Sequence, residues 1–381
     1  MANIEARDEA LTKALGRYVD NLDSGASRQT TRTVLSWWLR DVLYPNEWDD
    51  LDVLDDPDQG ALVARRTAQA LASRVRDEED RLSSPASART YFDIVSGALA
   101  SLTADGHLKE NPARLDSARE PLPADPGNTD TEQFWSPESR ETLVSFVDER
   151  AREAIDERGR AAVNEVRDRA VVAVVAWTGI RGVEVFRSRH DDRDGRQGLR
   201  WRRVNLDEGV MTVLGKSGEF EDVGLPRQCR PALERWASLL DPDPEWPVFP
   251  TLHRPTLARV VREELEARGW SGQEVADVLE DDRGWLQRCR DEDIVPPALT
   301  VDGARSLVKR LSKEAGALED GEPLSLHGAR RGLGETLYRQ SPVAAQEQLR
   351  HKSIETTKES YSHIEASKQA DVVSELLDRR S

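Results

Sequence analysis

Five prolines fall between residues 111 and 137, at Pro112, Pro121, Pro123, Pro126 and Pro137, with Gly, Asp and Thr among them. No regular helix or central strand crosses such a stretch, because each proline lacks a backbone donor and restricts the residue before it. The chain is therefore expected to fold in two pieces, residues 1–122 and 133–381, joined by a linker at 123–132. Its 381 residues are ample for two cores.

The first piece shows only helical spacing. Leu11, Leu15, Tyr18 and Leu22 form one stripe, and Val34, Leu35, Trp38, Leu39 and Val42 a second. Leu62, Val63, Leu71 and Val75 form a third. The fourth, Ala88, Phe92, Val95, Leu99 and Leu102, stops at Asp105-Gly106. Four such helices make a small bundle. In the second piece Ser136-Pro137 reads as an N-cap with proline at the first helical position. One long helical stretch follows, ending in the apolar run Ala170 to Trp177 and stopped by Gly179. Residues 199–206, 209–214 and 220–225 are short runs separated by Asp-Glu-Gly and Gly-Lys-Ser-Gly, which predicts a small antiparallel sheet. The remainder is helical, and the stretch 250–298 is a candidate insertion. The expected fold class is mainly α with one small antiparallel β-sheet.

Composition narrows the function. Asp and Glu number 71 against 54 Lys and Arg, a formal charge of −17, and only 8 of the basic residues are Lys. An acidic, Lys-poor surface fits a halophilic protein; a high-GC genome with an acidic surface produces the same pattern. Two cysteines, Cys229 and Cys289, exclude a disulfide scaffold and a Cys-rich zinc site. The N-terminus has no apolar signal core and no run approaches 18 apolar residues, so a soluble cytoplasmic protein is expected.

Four short segments carry candidate chemistry. In Thr178-Gly179-Ile180-Arg181-Gly182-Val183-Glu184, a glycine ends one helix and an arginine opens the next, where free N–H groups favour an anion; a surface Arg181–Glu184 pair is the bland alternative. Lys216 sits between glycines at a hairpin tip, either as a mobile proton donor or as an ordinary solvated turn residue. In His327-Gly328-Ala329-Arg330 the imidazole and guanidinium share a helix face and can reach one phosphate. His351 precedes Tyr361 by ten residues, which by itself is compatible with coincidence and with Tyr361 as core.

Together and in this order, TGIRGVE at 178–184, Lys216, HGAR at 327–330, LRHKSIETT at 349–357 and YSHI at 361–364 resemble the tyrosine recombinase (phage integrase) family, in particular archaeal Xer-like and integrase members. The resemblance implies a helical core-binding (SAM-like) DNA-binding domain at 1–122 and an α+β catalytic domain at 133–381, closing on DNA like a C-clamp. It implies site-specific cutting and rejoining of double-stranded DNA through a 3′-phosphotyrosyl intermediate, with neither cofactor nor metal. It also implies a homo-oligomer, a tetramer on two DNA sites. Tyr361 would be the nucleophile, Arg181 and Arg330 the phosphate clamps and Lys216 the general acid. His327 would assist proton transfer, His351 would stabilise developing charge and Glu184 would support the site structurally. A DNA-binding protein that keeps the fold without cleavage is the alternative.

The sequence departs from the family at several points. Arg331 stands where a His commonly follows the second Arg, and Arg350 where a Gly usually precedes the later His. Ser360 occupies the usual nucleophile position, so the extra residue before Tyr361 is expected to be absorbed in a loop around Lys358 to Ser360. His363 reads as packing or support. The acidic balance is tolerable for a DNA binder because residues 327–381 hold nine Lys or Arg against eight Asp or Glu. At molar salt the Debye length shrinks to about 3 Å, so distant acidic charge repels DNA little. The apolar residues Val372, Val373, Leu376 and Leu377 suggest a terminal helix that packs on a neighbour or on its own core.

Overall fold

Asp8, Ser24, Asp56 and Ser84 accept backbone N–H bonds at the starts of the principal N-terminal helices, each satisfying donors that a helix leaves free in its first turn. The computed structural model describes residues 8–77, 82, 84–124, 132–280, 283–351 and 353–361. The chain divides into two units, Met1–Asp130 and Thr131–Ser381.

The first unit contains α1 (Glu9–Asp20), α2 (Gly25–Trp38), α3 (Leu51–Asp55), α4 (Pro57–Arg76), α5 (Pro85–Ala104) and α6 (Asp116–Arg119). The four predicted stripes correspond to α1, α2, α4 and α5. Their inner faces bury Leu11, Leu15, Trp38, Val63, Phe92 and Leu99 in one core, and Trp38 Nε1 donates to Thr67 Oγ1 at 2.9 Å. Leu62, counted in the third stripe, is 42% exposed; Val63, Ala64, Thr67 and Leu71 form the buried face instead. The proline-bearing residues 112–122 pack into this unit, with Pro112, Ala113, Ala118 and Leu122 buried. Pro126, and most of the 123–132 segment, lie outside the described residues.

The second unit opens with α7 (Pro137–Arg158) and α8 (Val163–Thr178), not one long helix. Gly159, at φ +55°, breaks the stretch, a conformation open to glycine at little cost. Ser136 caps α7 through the Ser139 N–H at 3.1 Å. After α9 (Gly182–Val185) comes an antiparallel sheet of β1 (Val204–Asn205), β2 (Val210–Leu214) and β3 (Phe220–Gly224). Met211 pairs with Val204 on one side and Val223 on the other. The first strand is shorter than expected because Leu199 and Trp201 donate their N–H groups to Val185 and Trp246 rather than to a ladder.

Next are α10 (Arg230–Leu240), α11 (Arg254–Ala267), α12 (Gly272–Glu280), α13 (Trp285–Asp291) and α14 (Val301–Ala315). A small ribbon of β4 (Leu318–Glu319) and β5 (Glu322–Pro323) leads to α15 (Leu326–Gln340), α16 (Pro342–Leu349) and α17 (Ile354–Ser360). The candidate insertion 250–298 shares the main core: Leu257, Val261, Leu265, Val275, Cys289 and Ile294 are buried with the apolar face of α8. Both cysteines are buried and free, and burial pushes their thiols up, Cys229 to about 12 and Cys289 to about 11. Among the described residues no helix is long and apolar enough to cross a membrane. His363 and the apolar residues at 372–377 lie outside the described residues.

Candidate active site

The end of α8 sets the first element of the site. Its run from Ala170 to Ala176 is wholly buried, so the helix is held by packing rather than by its β-branched residues' weak helical preference. Gly179 terminates it at φ +66°, and a Cβ there would lie 2.6 Å from Leu349 Cδ2. The chain then turns into α9, where the Glu184 carboxylate accepts from the Arg181 backbone N–H at 2.9 Å and from Arg181 Nη1 at 3.0 Å. Glu184 is only 1% exposed. A second cation, Arg350, reaches the same carboxylate at 2.6 Å, which offsets the cost of burying an ion.

The second element is α15. Ser325 caps it through the Gly328 N–H at 3.1 Å, and Arg330 points from its buried side. Arg330 donates Nη1 to the Gly179 carbonyl and Nη2 to the Leu349 carbonyl, both at helix ends. Burial and the neighbouring Arg181 lower its guanidinium to about 10, so it stays cationic at neutral pH. Residues 133–135 brace the start of this helix: Trp135 Nε1 donates to the Ser325 carbonyl at 2.9 Å, and Gln133 Oε1 accepts from Ser325 N–H at 2.7 Å. A Cβ on Gly332 would stand 2.1 Å from the Trp135 carbonyl oxygen, so glycine is required where the two segments cross.

The third element is the turn after α16 together with α17. His351 Nδ1 pairs with Thr357 Oγ1 at 2.9 Å. The region from Lys358 to Ser360 is helical, not the expected loop, and α17 ends there. Tyr361 stands just beyond it at φ −126°, its N–H bonded to the Thr357 and Lys358 carbonyls. Tyr361 has left helical geometry, so its side chain does not continue the α17 face. Its ring packs 5.4 Å from that of Tyr338, and its hydroxyl lies against Gly334, where a Cβ would be 1.8 Å away. Ser360 instead donates its hydroxyl to the Thr356 carbonyl at 2.8 Å.

These elements surround a cleft of about 390 Å³ lined by Glu132, Phe134, Arg181, His327, Arg330, Arg331, His351, Ser360 and Tyr361. Five of the six expected catalytic side chains thus meet. The sixth, Lys216, is exposed on the β2–β3 turn and does not line the cleft. Glu184 lies beneath, holding Arg181.

Electrostatics in the cleft follow from burial beside cations. Burial pushes the Tyr361 phenol up to about 12, against the opposing pull of Arg330 and Arg331. Desolvation of the ring, then Arg331, Arg330 and Arg181, hold His327 down to about 4, although the residue as a whole is exposed. Desolvation, Arg330 and Arg181 likewise lower His351 to about 4. The free protein at pH 7 therefore holds a neutral phenol beside two neutral imidazoles, which can accept a proton. In a histidine NMR titration of the free protein, both imidazoles are expected to stay neutral from pH 8 through pH 6, with midpoints of about 4. A midpoint for either near the ordinary 6.5 would contradict this account of the cleft.

Three side chains that build the site were not singled out for that role from sequence. Glu221 on β3 pairs with Arg350 at 3.0 Å. Arg196 is buried and donates to the Val183, Leu214 and Gly215 carbonyls, tying the β2–β3 turn to α9. Glu132 pairs with Arg331. None of the three carried a sequence signal, whereas their partners Arg350 and Arg331 did, as arginines where a glycine and a histidine are usual.

No family model matches the chain. The tyrosine recombinase XerC of Xylella fastidiosa is 28% identical over 204 residues, which make up 53% of this chain and 59% of that protein. The match thus spans less than two thirds of that relative's length. Two solved structures share the fold. The XerH site-specific recombinase bound to a palindromic difH substrate superposes with a TM-score of 0.52 at 15% identity, covering 98% of this chain and 91% of that one. A lambda integrase dimer bound to a COC′ core site superposes with a TM-score of 0.53 at 14% identity, covering 92% and 94%. The chain thus has the fold of these two solved structures and partial sequence similarity to a tyrosine recombinase, and its Arg181, His327, Arg330, His351 and Tyr361 side chains line one cleft.

Proposed function

We propose that this protein is a site-specific DNA recombinase that cuts and rejoins double-stranded DNA through a covalent 3′-phosphotyrosyl intermediate. The observation that carries the reading is the shared cleft of Arg181, His327, Arg330, His351 and Tyr361. Arg181 and Arg330 hold the non-bridging oxygens of the scissile phosphate and stabilise the charge that builds on them. Tyr361 Oη attacks phosphorus as the bond to the 5′ oxygen breaks. The phenolic proton passes to a neutral imidazole, with His327 as the acceptor and His351 stabilising the developing charge. Lys216 protonates the leaving 5′ oxygen by swinging its long side chain from the tip of the anchored β2–β3 turn toward the bound DNA. Rejoining is the reverse, and the phosphotyrosyl bond conserves the energy for it. Residues 1–122 serve as the core-binding domain and 123–132 as its linker, and four protomers assemble on two sites in the cytoplasm. The acidic, Lys-poor composition suits this work to concentrated salt.

Trapping on a nicked duplex tests the reading: the wild-type chain leaves a covalent protein–DNA adduct whose peptide contains Tyr361. The absence of any adduct from duplexes the protein binds would reject it. Lys216→Ala is expected to slow cleavage of an ordinary phosphate by about 10²- to 10⁴-fold, the scale of a general acid. A 5′-bridging phosphorothiolate, whose leaving group needs no proton, is expected to restore the rate. Equal slowing on both substrates would assign the acid to another residue. A second reading, a DNA-binding protein that keeps the fold without cleavage, draws on Lys216 lying outside the cleft; duplex binding without an adduct would favour it.

A further inference from the structure

Arg350 joins the phosphate-clamp side of the site to the hairpin bearing Lys216 by ion pairs at both ends. It caps α16 in the left-handed region, at φ +54° and ψ +49°, a conformation that glycine adopts freely and an L side chain does not. Its side chain is only 10% exposed. One guanidinium nitrogen donates to Glu184 Oε2 at 2.6 Å and the other to Glu221 Oε2 at 3.0 Å. Glu184 in turn holds both the backbone and the guanidinium of Arg181. At the other end, Glu221 Oε1 accepts from Ser217 Oγ at 3.3 Å, and Ser217 is the neighbour of Lys216. The Glu221 carboxylate also fills the space over Gly215, where a Cβ would be 2.4 Å from Oε1.

We propose that Arg350 is a positioning residue that sets where Lys216 stands relative to the phosphate clamp, by bridging Glu184 to Glu221. The proposal rests on the recombinase reading and adds to it the device that aims the general acid. The physical case is one of partners. A buried guanidinium between two carboxylates is held at both ends, so moving the hairpin means separating Arg350 from Glu221 or Glu221 from Ser217, in addition to freeing the Leu214 and Gly215 carbonyls from Arg196. A glycine at 350 would relieve the backbone and lose the bridge. The arginine keeps the bridge at the expense of an unfavourable backbone conformation.

Arg350→Gly tests it, since glycine suits φ +54° and any loss belongs to the side chain. On an ordinary phosphate, cleavage is expected to fall by about 10²-fold, the scale of a misplaced catalytic group. On the 5′-bridging phosphorothiolate it is expected to return close to the wild-type rate, because that substrate bypasses Lys216. Arg350→Lys, which keeps one of the two bridges, should recover part of the ordinary rate. Glu221→Ala should reproduce the Arg350→Gly pattern, and the double variant should be no slower than either single one. Equal losses on both substrates, or no loss on either, with the wild type active, would overturn the positioning role alone. A wild type that forms no adduct on either substrate would overturn the recombinase reading instead. Trypsin then still tests the bridge, because faster cleavage after Lys216 in Arg350→Gly supports it and unchanged cleavage overturns it.

Discussion

Tyr361→Phe is expected to abolish covalent attachment to DNA while leaving duplex binding and the fold intact. The substitution removes one oxygen and keeps the ring, whose packing against Tyr338 at 5.4 Å does not involve the hydroxyl. The site has room for that oxygen only because residue 334 is glycine. The phenol is 2% exposed as part of Tyr361 and lies up at about 12, so at neutral pH it attacks only while giving up its proton. The neutral imidazoles of His327 and His351 supply the acceptor. Their values near 4 fix the sign of the pH dependence. The kcat/KM for cleavage, which reports groups of the DNA-free protein, should persist from pH 8 down through pH 6 and fall as pH drops toward about 4, when the imidazoles become cations. Ser360→Ala should leave cleavage nearly unchanged, because the Ser360 hydroxyl is committed to the Thr356 carbonyl. Gel-shift binding combined with denaturing-gel detection of the adduct measures both halves. A covalent adduct persisting in Tyr361→Phe, mapped to another residue by peptide mass, would sink the assignment.

Arg330→Ala carries the second large effect, and it should appear in two measurements. In single-turnover cleavage the loss is expected to be about 10²- to 10³-fold, the consequence of removing one preorganised donor from an oxyanion site. In thermal unfolding the variant should also be less stable, because the Gly179 and Leu349 carbonyls lose their guanidinium donors inside the protein. Each buried carbonyl left unpaired costs about 1–3 kcal/mol. Arg330→Lys keeps the charge, but an ammonium lacks the planar fork that serves two carbonyls at once. It should recover part of the stability and little of the rate. Full activity in either variant would exclude Arg330 from the phosphate clamp.

The helices of both units were legible in the sequence because apolar spacing and capping residues are local signals. The stripe from Ala88 to Leu102 and the stop at Asp105-Gly106 match α5 closely, and Ser136-Pro137 opens α7. The break at Gly159 was missed because flanking residues on both sides are good helix formers. The strand expected from Leu199 was overestimated because its N–H groups are claimed by Val185 and Trp246, partners remote in sequence. The loop expected at Lys358 to Ser360 does not form: in the folded chain the helix continues and the turn falls at Tyr361 itself.

Residue type and short-range spacing mark out the candidate side chains: the order of Arg181, Lys216, His327, Arg330, His351 and Tyr361, with the first four expected at a helix start, a turn and one helix face. Only the tertiary structure decided that five of the six share one cleft while Lys216 stands apart on its turn. It alone decided the charge states, because burial beside Arg181 and Arg330 lowers both imidazoles and burial raises the phenol. It alone joined Glu184 to Arg350, 166 residues away, and Arg350 to Glu221, 129 residues away. Desolvation and ion pairing depend on what the fold brings within a few ångströms, and no spacing rule along the chain encodes that distance.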